Sequence, residues 1–133
     1  TVPTSTYFTV GGDTAVNKDD DNYIAMLFAS VDGISKVGSY TGTGSSGNSV
    51  SLGFQPRFLI VKNADWSSGD WFVYDTVRGW ASGNDSVLIL NSSGAQATGT
   101  TYDIDPTSTG FTVQSTDAAV NNSGHNFIYY AHA

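Results

Sequence analysis

Two distant stretches of this sequence carry the same side chains in the same order, and that repetition limits what the chain can fold into. Tyr7-Phe8-Thr9-Val10, Asp13, Ala15-Val16-Asn17, Asn22-Tyr23-Ile24 and Ala29 return as Gly110-Phe111-Thr112-Val113, Asp117, Ala119-Val120-Asn121, Asn126-Phe127-Ile128 and Ala133. Phe8 and Phe111 are 103 residues apart, Ala15 and Ala119 104. Equal patterns present equal faces to a core, so the two copies are expected to superpose as one two-strand element. Residues 30–133 then form one complete unit of 104 residues, and residues 1–29 are the tail of a preceding unit. The alternative is that residues 1–29 form a hairpin completing the sheet of the unit that follows, which makes 1–133 the folding unit. A repeat this long is a domain strung in series, unlike the roughly 20–50-residue units of a solenoid.

Short apolar runs separated by Gly, Asn, Asp and Ser predict eight strands: Tyr7–Val10, Tyr23–Ala29, Val37–Thr41, Arg57–Lys62, Trp71–Asp75, Val87–Leu90, Phe111–Val113 and Asn126–Ala131. The expected fold is all-β, an antiparallel sandwich of jelly-roll or lectin-like kind. The unbroken run Phe58-Leu59-Ile60-Val61 suits a central strand covered on both faces, and Pro56 stands just before it, where proline is tolerated. One short helix is expected around Thr76 to Ala81.

Composition agrees. All twelve acidic residues are Asp, a turn former, and the helix former Glu is missing. A net charge of −7 with five basic residues argues against a nucleic-acid partner, which needs clustered Lys and Arg. The longest apolar run, Tyr23–Ala29, falls short of the roughly 20 residues that span a bilayer, so membrane insertion is not expected. With no cysteine, the chain can build no disulfide, thiolate metal site or Cys nucleophile. It opens on Thr1 without a charged leader, so any targeting segment is expected upstream or already removed.

A longer set of residues carries a family resemblance. Gly33-Ile34-Ser35-Lys36-Val37-Gly38-Ser39-Tyr40-Thr41-Gly42-Thr43-Gly44 is followed by Gly53-Phe54-Gln55-Pro56-Arg57-Phe58-Leu59-Ile60-Val61-Lys62-Asn63. Then come Trp71-Phe72-Val73-Tyr74-Asp75-Thr76-Val77-Arg78-Gly79, Leu90-Asn91-Ser92-Ser93-Gly94-Ala95 and Gly110-Phe111-Thr112-Val113. Together they resemble a module repeated in virion proteins of marine tailed bacteriophages, over nearly all of residues 23–133. The resemblance implies an extracellular virion component of tail-fibre or surface-appendage type, whose partners are other virion proteins and copies of itself. It offers no catalytic residues or cofactor to transfer. A capsid decoration protein, and a carbohydrate-binding module of a secreted bacterial adhesin, are the alternative expectations.

Trp66, Trp71 and Trp80 lie in or beside the polar segment Asn63–Gly83 with Asp65 and Asp70. An aromatic face flanked by carboxylates can stack on a sugar and accept its hydroxyl hydrogen bonds, so Trp66, Asp65 and Asp70 are the candidate contacts for a host surface glycan. Trp66, between Asp65 and Ser67, is the one expected to be exposed, and Trp71, alternating with Val73, is expected in the core. Asp19, Asp20 and Asp21 offer the hard oxygens that calcium prefers, but lack the alternating ligands and turn glycine of a calcium loop, so a solvated hairpin loop is the better reading and no metal or other cofactor is expected. His125 is expected in a solvated turn and His132 in a structural role. Asp65 with Asp70, and Asp103 with Asp105, are the only carboxylate pairs that suit glycoside cleavage, and no nucleophile elbow or phosphate loop occurs. An enzyme is not expected. Asn-x-Ser/Thr strings at Asn84, Asn91 and Asn121 arise from composition alone.

Overall fold

Alternation along Phe58–Asn63 organises the architecture: Leu59, Val61 and Asn63 are buried, while Phe58, Ile60 and Lys62 are half-buried on the opposite face. A computed structural model describes residues 4–133. Its elements run α1 (Thr14–Asn17), β1 (Ser35–Thr41), β2 (Asn48–Ser51), β3 (Phe58–Asn63), β4 (Trp71–Asp75), β5 (Asp85–Ile89), β6 (Ala97–Gly99), β7 (Ile104–Thr107), β8 (Gly110–Val113), α2 (Ala118–Asn121) and β9 (Asn126–His132). A six-stranded antiparallel sheet, ordered β1-β9-β3-β4-β5-β6, packs on a three-stranded one, β2-β8-β7. The chain is an all-β sandwich, with β3 one of the two innermost strands of the larger sheet.

The registers decide which faces meet. Val61 lies opposite Phe72 on one side and Tyr129 on the other, and Leu59 lies opposite Tyr74 and Ala131, so these side chains share the inner face. They meet Ile104, Phe111 and Val113 from the smaller sheet, all at most 1 % exposed. Burying each large side chain of this kind stabilises by about 1.5–3 kcal/mol. Tyr40 stacks on Phe127 at 4.9 Å, and Phe111 meets Tyr129 edge-on at 5.4 Å. Gly38 lies opposite Tyr129, and a Cβ there would stand 2.5 Å from the Tyr129 hydroxyl, so only glycine lets that ring cross β1.

Three strands were not expected from the sequence: β2, β6 and β7. Each is a sheet edge. Edge strands are short and polar because an apolar edge invites wrong pairing, and β7 even carries Pro106, which an edge accommodates. The expected helix at Thr76 to Ala81 is a shorter 3-10 turn, Thr76–Arg78, capped by Asp75 and ended by Gly79 at φ 102°.

The expected strands Tyr7–Val10 and Tyr23–Ala29 do not form ladders here. Residues 4–34 are an exposed arm with no buried side chain. The reason is competition for a single slot, since β1 and β3 hold β9, and β2 and β7 hold β8. The two copies therefore do not superpose as one two-strand element, and only the turn between the strand positions is alike. α1 and α2 occupy matching positions, and Asp13 and Asp117 each cap their helix by accepting from the second following amide at 2.8 Å. Near β1, Met26 and Phe28 rest on the outer face of the larger sheet, Phe28 at 4.4 Å from the Tyr130 ring.

Candidate functional site

One end of the sandwich gathers the β3–β4 loop and the turn joining α2 to β9. Trp66 stands in the first loop, 41 % exposed, its edge toward the His125 ring at 6.2 Å. Gly69 donates to the Trp66 carbonyl, and Lys62 Nζ reaches over to the Gly69 carbonyl, which folds the loop back on its strand. The Asp65 carboxylate accepts from the Asn126 backbone at 2.7 Å and from its amide at 3.2 Å, tying the two loops together. Asp70 accepts from the Asn91 amide at 2.8 Å, while Asn91 Oδ1 accepts from the backbone N–H of Trp71. Asp65 and Asp70 thus position loops, each with acceptor capacity left over.

His125 is half-buried between two amides, with Asn63 3.2 Å from Nδ1 and Asn122 2.9 Å from Nε2. The expectation of a solvated turn histidine is therefore corrected. Sequence gave no sign of this, because Asn63 and His125 are 62 positions apart. Its product is a polar shelf of Asn122, His125 and Asn126 beside an exposed indole, with donors and acceptors at one end of a rigid sheet. Such a shelf can hydrogen-bond a polyhydroxylated ligand while the ring covers its apolar face.

The remaining candidates fall elsewhere. Trp71 is not core: it is 38 % exposed, on the outer face under Lys62 Nζ, which sits 5.4 Å from its centroid. Val73 shares that face, so the alternation holds, but the inner face belongs to Phe72 and Tyr74. The buried tryptophan is Trp80, 2 % exposed, whose Nε1–H donates to the Ile104 carbonyl. His132 is exposed at the end of β9. Asn121 is fully buried, donating to the Ser45 and Ser115 carbonyls and accepting from the Thr43 N–H and the Asn48 amide.

Asp19, Asp20 and Asp21 lie in the arm, with Asp21 paired to Lys18 at 3.1 Å. Among the described residues no three His or acidic side chains converge to hold an ion. Chelator is accordingly expected to leave the melting temperature unchanged, and a fall of several degrees would restore a cation to the arm.

The carboxylates that do meet are not the pairs anticipated. Asp105 is occupied, accepting from the Gly83 N–H and the Gln114 amide. Asp103 instead lies near Asp85, close enough for each to bear on the other's ionisation, and both are buried. Asp85 Oδ2 accepts from the Ile104 N–H at 2.7 Å, whereas Oδ1 of each acid has no hydrogen-bond partner. Burial raises both acids, Asp85 to about 7, with the nearby Asp103 charge adding to the effect. Two neighbouring buried carboxyls with an unsatisfied oxygen each favour retention of a proton. Asp85 borders a pocket of about 120 Å³ that opens to solvent, away from the Trp66 end.

No helix among the described residues is long and apolar enough to cross a membrane. The model of a family described as a domain of unknown function (DUF7483) matches residues 1–133, both copies of the repeat included, and the chain belongs to that family. No curated protein and no solved structure matches the chain.

Proposed function

We propose that this member of the DUF7483 family is a non-enzymatic structural module of a tailed-phage virion, a unit of a tail fibre or surface appendage that contacts host glycan through its Trp66 end. The observation that carries the binding part is the half-exposed Trp66 indole beside the shelf of Asn122, His125 and Asn126. Support for the virion part is the resemblance over residues 23–133 together with the duplicated sequence pattern. Repetition multiplies weak contacts, and linked sites gain avidity without any single site improving. The close carboxylate pair of Asp85 and Asp103 is buried in the core, which fits packing better than hydrolysis of a bulky substrate.

Two measurements test this. Antibody raised to the chain should label purified particles on the tail or its appendages; label on the head favours a decoration protein, and label on bacterial surfaces favours the secreted adhesin. Trp66→Ala should cut adsorption of particles to host cells at least tenfold while costing no more than about 1 kcal/mol of stability, as a partly exposed side chain does. Unchanged adsorption would make the module a spacer.

A further inference from the structure

The two copies of the repeat share a capped turn but differ in strand pairing and in burial. Phe111, Val113, Val120, Phe127 and Ala131 are each at most 1 % exposed, whereas their counterparts Phe8, Val10, Val16, Tyr23 and Leu27 are 44–78 % exposed. The arm therefore displays the face that its own twin buries, and the twin shows what covers such a face: β1 and β3 on one strand, β2 and β7 on the other. A single chain offers only one such set of strands. In a second copy of this chain the slot is already filled by that copy's own β8 and β9. The arm fits a body of the same fold that lacks its final strand pair.

We propose that residues 7–29 are the last two strands of a preceding unit of the same fold in the same polypeptide. Tyr7–Val10 pairs as β8 does, α1 makes the same Asp-capped turn as α2, and Tyr23–Phe28 slots between strands equivalent to β1 and β3. The joint to the next unit is short. Ser30–Ile34 form a turn closed by reciprocal bonds between Val31 and Ser35, at 2.9 Å each. On the donated strand Met26 and Phe28 match Tyr130 and His132, on the outer face, and here they already line a groove with Val37, Ile60, Trp71 and Tyr130 of the following unit. Successive units are thus held by a tight turn and an apolar seam, which makes the array stiff. This inference concerns assembly and stands independently of glycan contact at Trp66.

The test joins residues 30–109 directly to Tyr7, so that Thr109 takes the place of Thr6 and the two-residue turn before β8 is kept. In the unextended chain, chymotrypsin should cut rapidly in the arm after Tyr7, Phe8, Tyr23 or Phe28. In the extended chain those cuts should slow by about a hundredfold or more, since cleavage then requires opening a folded sheet. Val16→Asp should restore rapid cutting only in the extended chain. Equal rates in both chains overturn the proposal. A second variant tests the arm's sequence directly by replacing residues 110–133 with residues 7–29. It should melt cooperatively, and a chain that does not fold overturns the proposal. The unextended chain should sediment as a monomer, and a dimer with a protected arm would overturn it in favour of exchange between copies.

Discussion

Replacing Trp80 by alanine is expected to cost about 3–5 kcal/mol, the usual loss for a buried aromatic, and to lower the melting temperature by roughly 10–20 °C. Trp80 packs on Tyr74 with ring centroids 5.7 Å apart, and its N–H satisfies the Ile104 carbonyl at the start of β7. Truncation leaves a cavity and an orphaned acceptor on the strand that closes the smaller sheet. Trp80→Phe fills most of the space but not the bond, and should cost about 1–2 kcal/mol less than alanine. Trp71→Ala is the contrast. Its ring lies on the outer face, so the loss should stay below about 1.5 kcal/mol. Thermal melts of the three variants decide the matter, and a Trp71→Ala penalty equal to that of Trp80→Ala would mean that the outer face is covered in solution.

Stability should fall as pH rises from about 4 to 7. A free Asp side chain titrates near 3.9, and Asp85 in the fold near 7. Between these values the folded state holds a proton that the unfolded chain has released, so stability is fully present below the lower value and lost through the upper one. The shift of about three units corresponds to roughly 4 kcal/mol, or on the order of 10 °C in melting temperature. Asp103, raised in the same direction by burial and by Asp105, adds to the trend. Asp85→Asn removes the proton from the account. Its oxygen can still accept from the Ile104 N–H, and its amide can donate to the Asp103 carboxylate. The variant should melt well above the parent at pH 8 and close to it at pH 4. Comparing the two at each pH cancels the remaining carboxylates. Parallel curves would show that Asp85 is ionised in the fold at no cost.

Both predictions concern residues whose roles the sequence did not disclose, and the reason is geometric. Period-two alternation states which residues share a strand face and leaves open which face is covered. Trp71 and Val73 do share a face, but it is the outer one, and Trp71 is exposed there because the smaller sheet covers Phe72 and Tyr74 instead. The approach of Asp103 to Asp85 depends on the smaller sheet packing on the larger, and that of His125 to Asn63 on the pairing of β9 with β3.

What the sequence determined by itself was local. Short apolar runs between turn residues mark β1, β3, β4, β5, β8 and β9, Pro56 marks the entry to β3, and the shared Asp-x-Ala-Val-Asn string makes the same capped turn at both copies, since a side chain and an amide two residues on need nothing else. The all-β class follows from the same signals. Edge strands β2, β6 and β7 escaped because an edge is stable through its one neighbour and carries little apolar signature. Only the tertiary structure decided which of two similarly patterned segments enters the sheet. Phe8 and Phe111 have the same intrinsic preference for a core, and the body holds one slot between β1 and β3 and one between β2 and β7, so one copy is buried and the other is left in solvent.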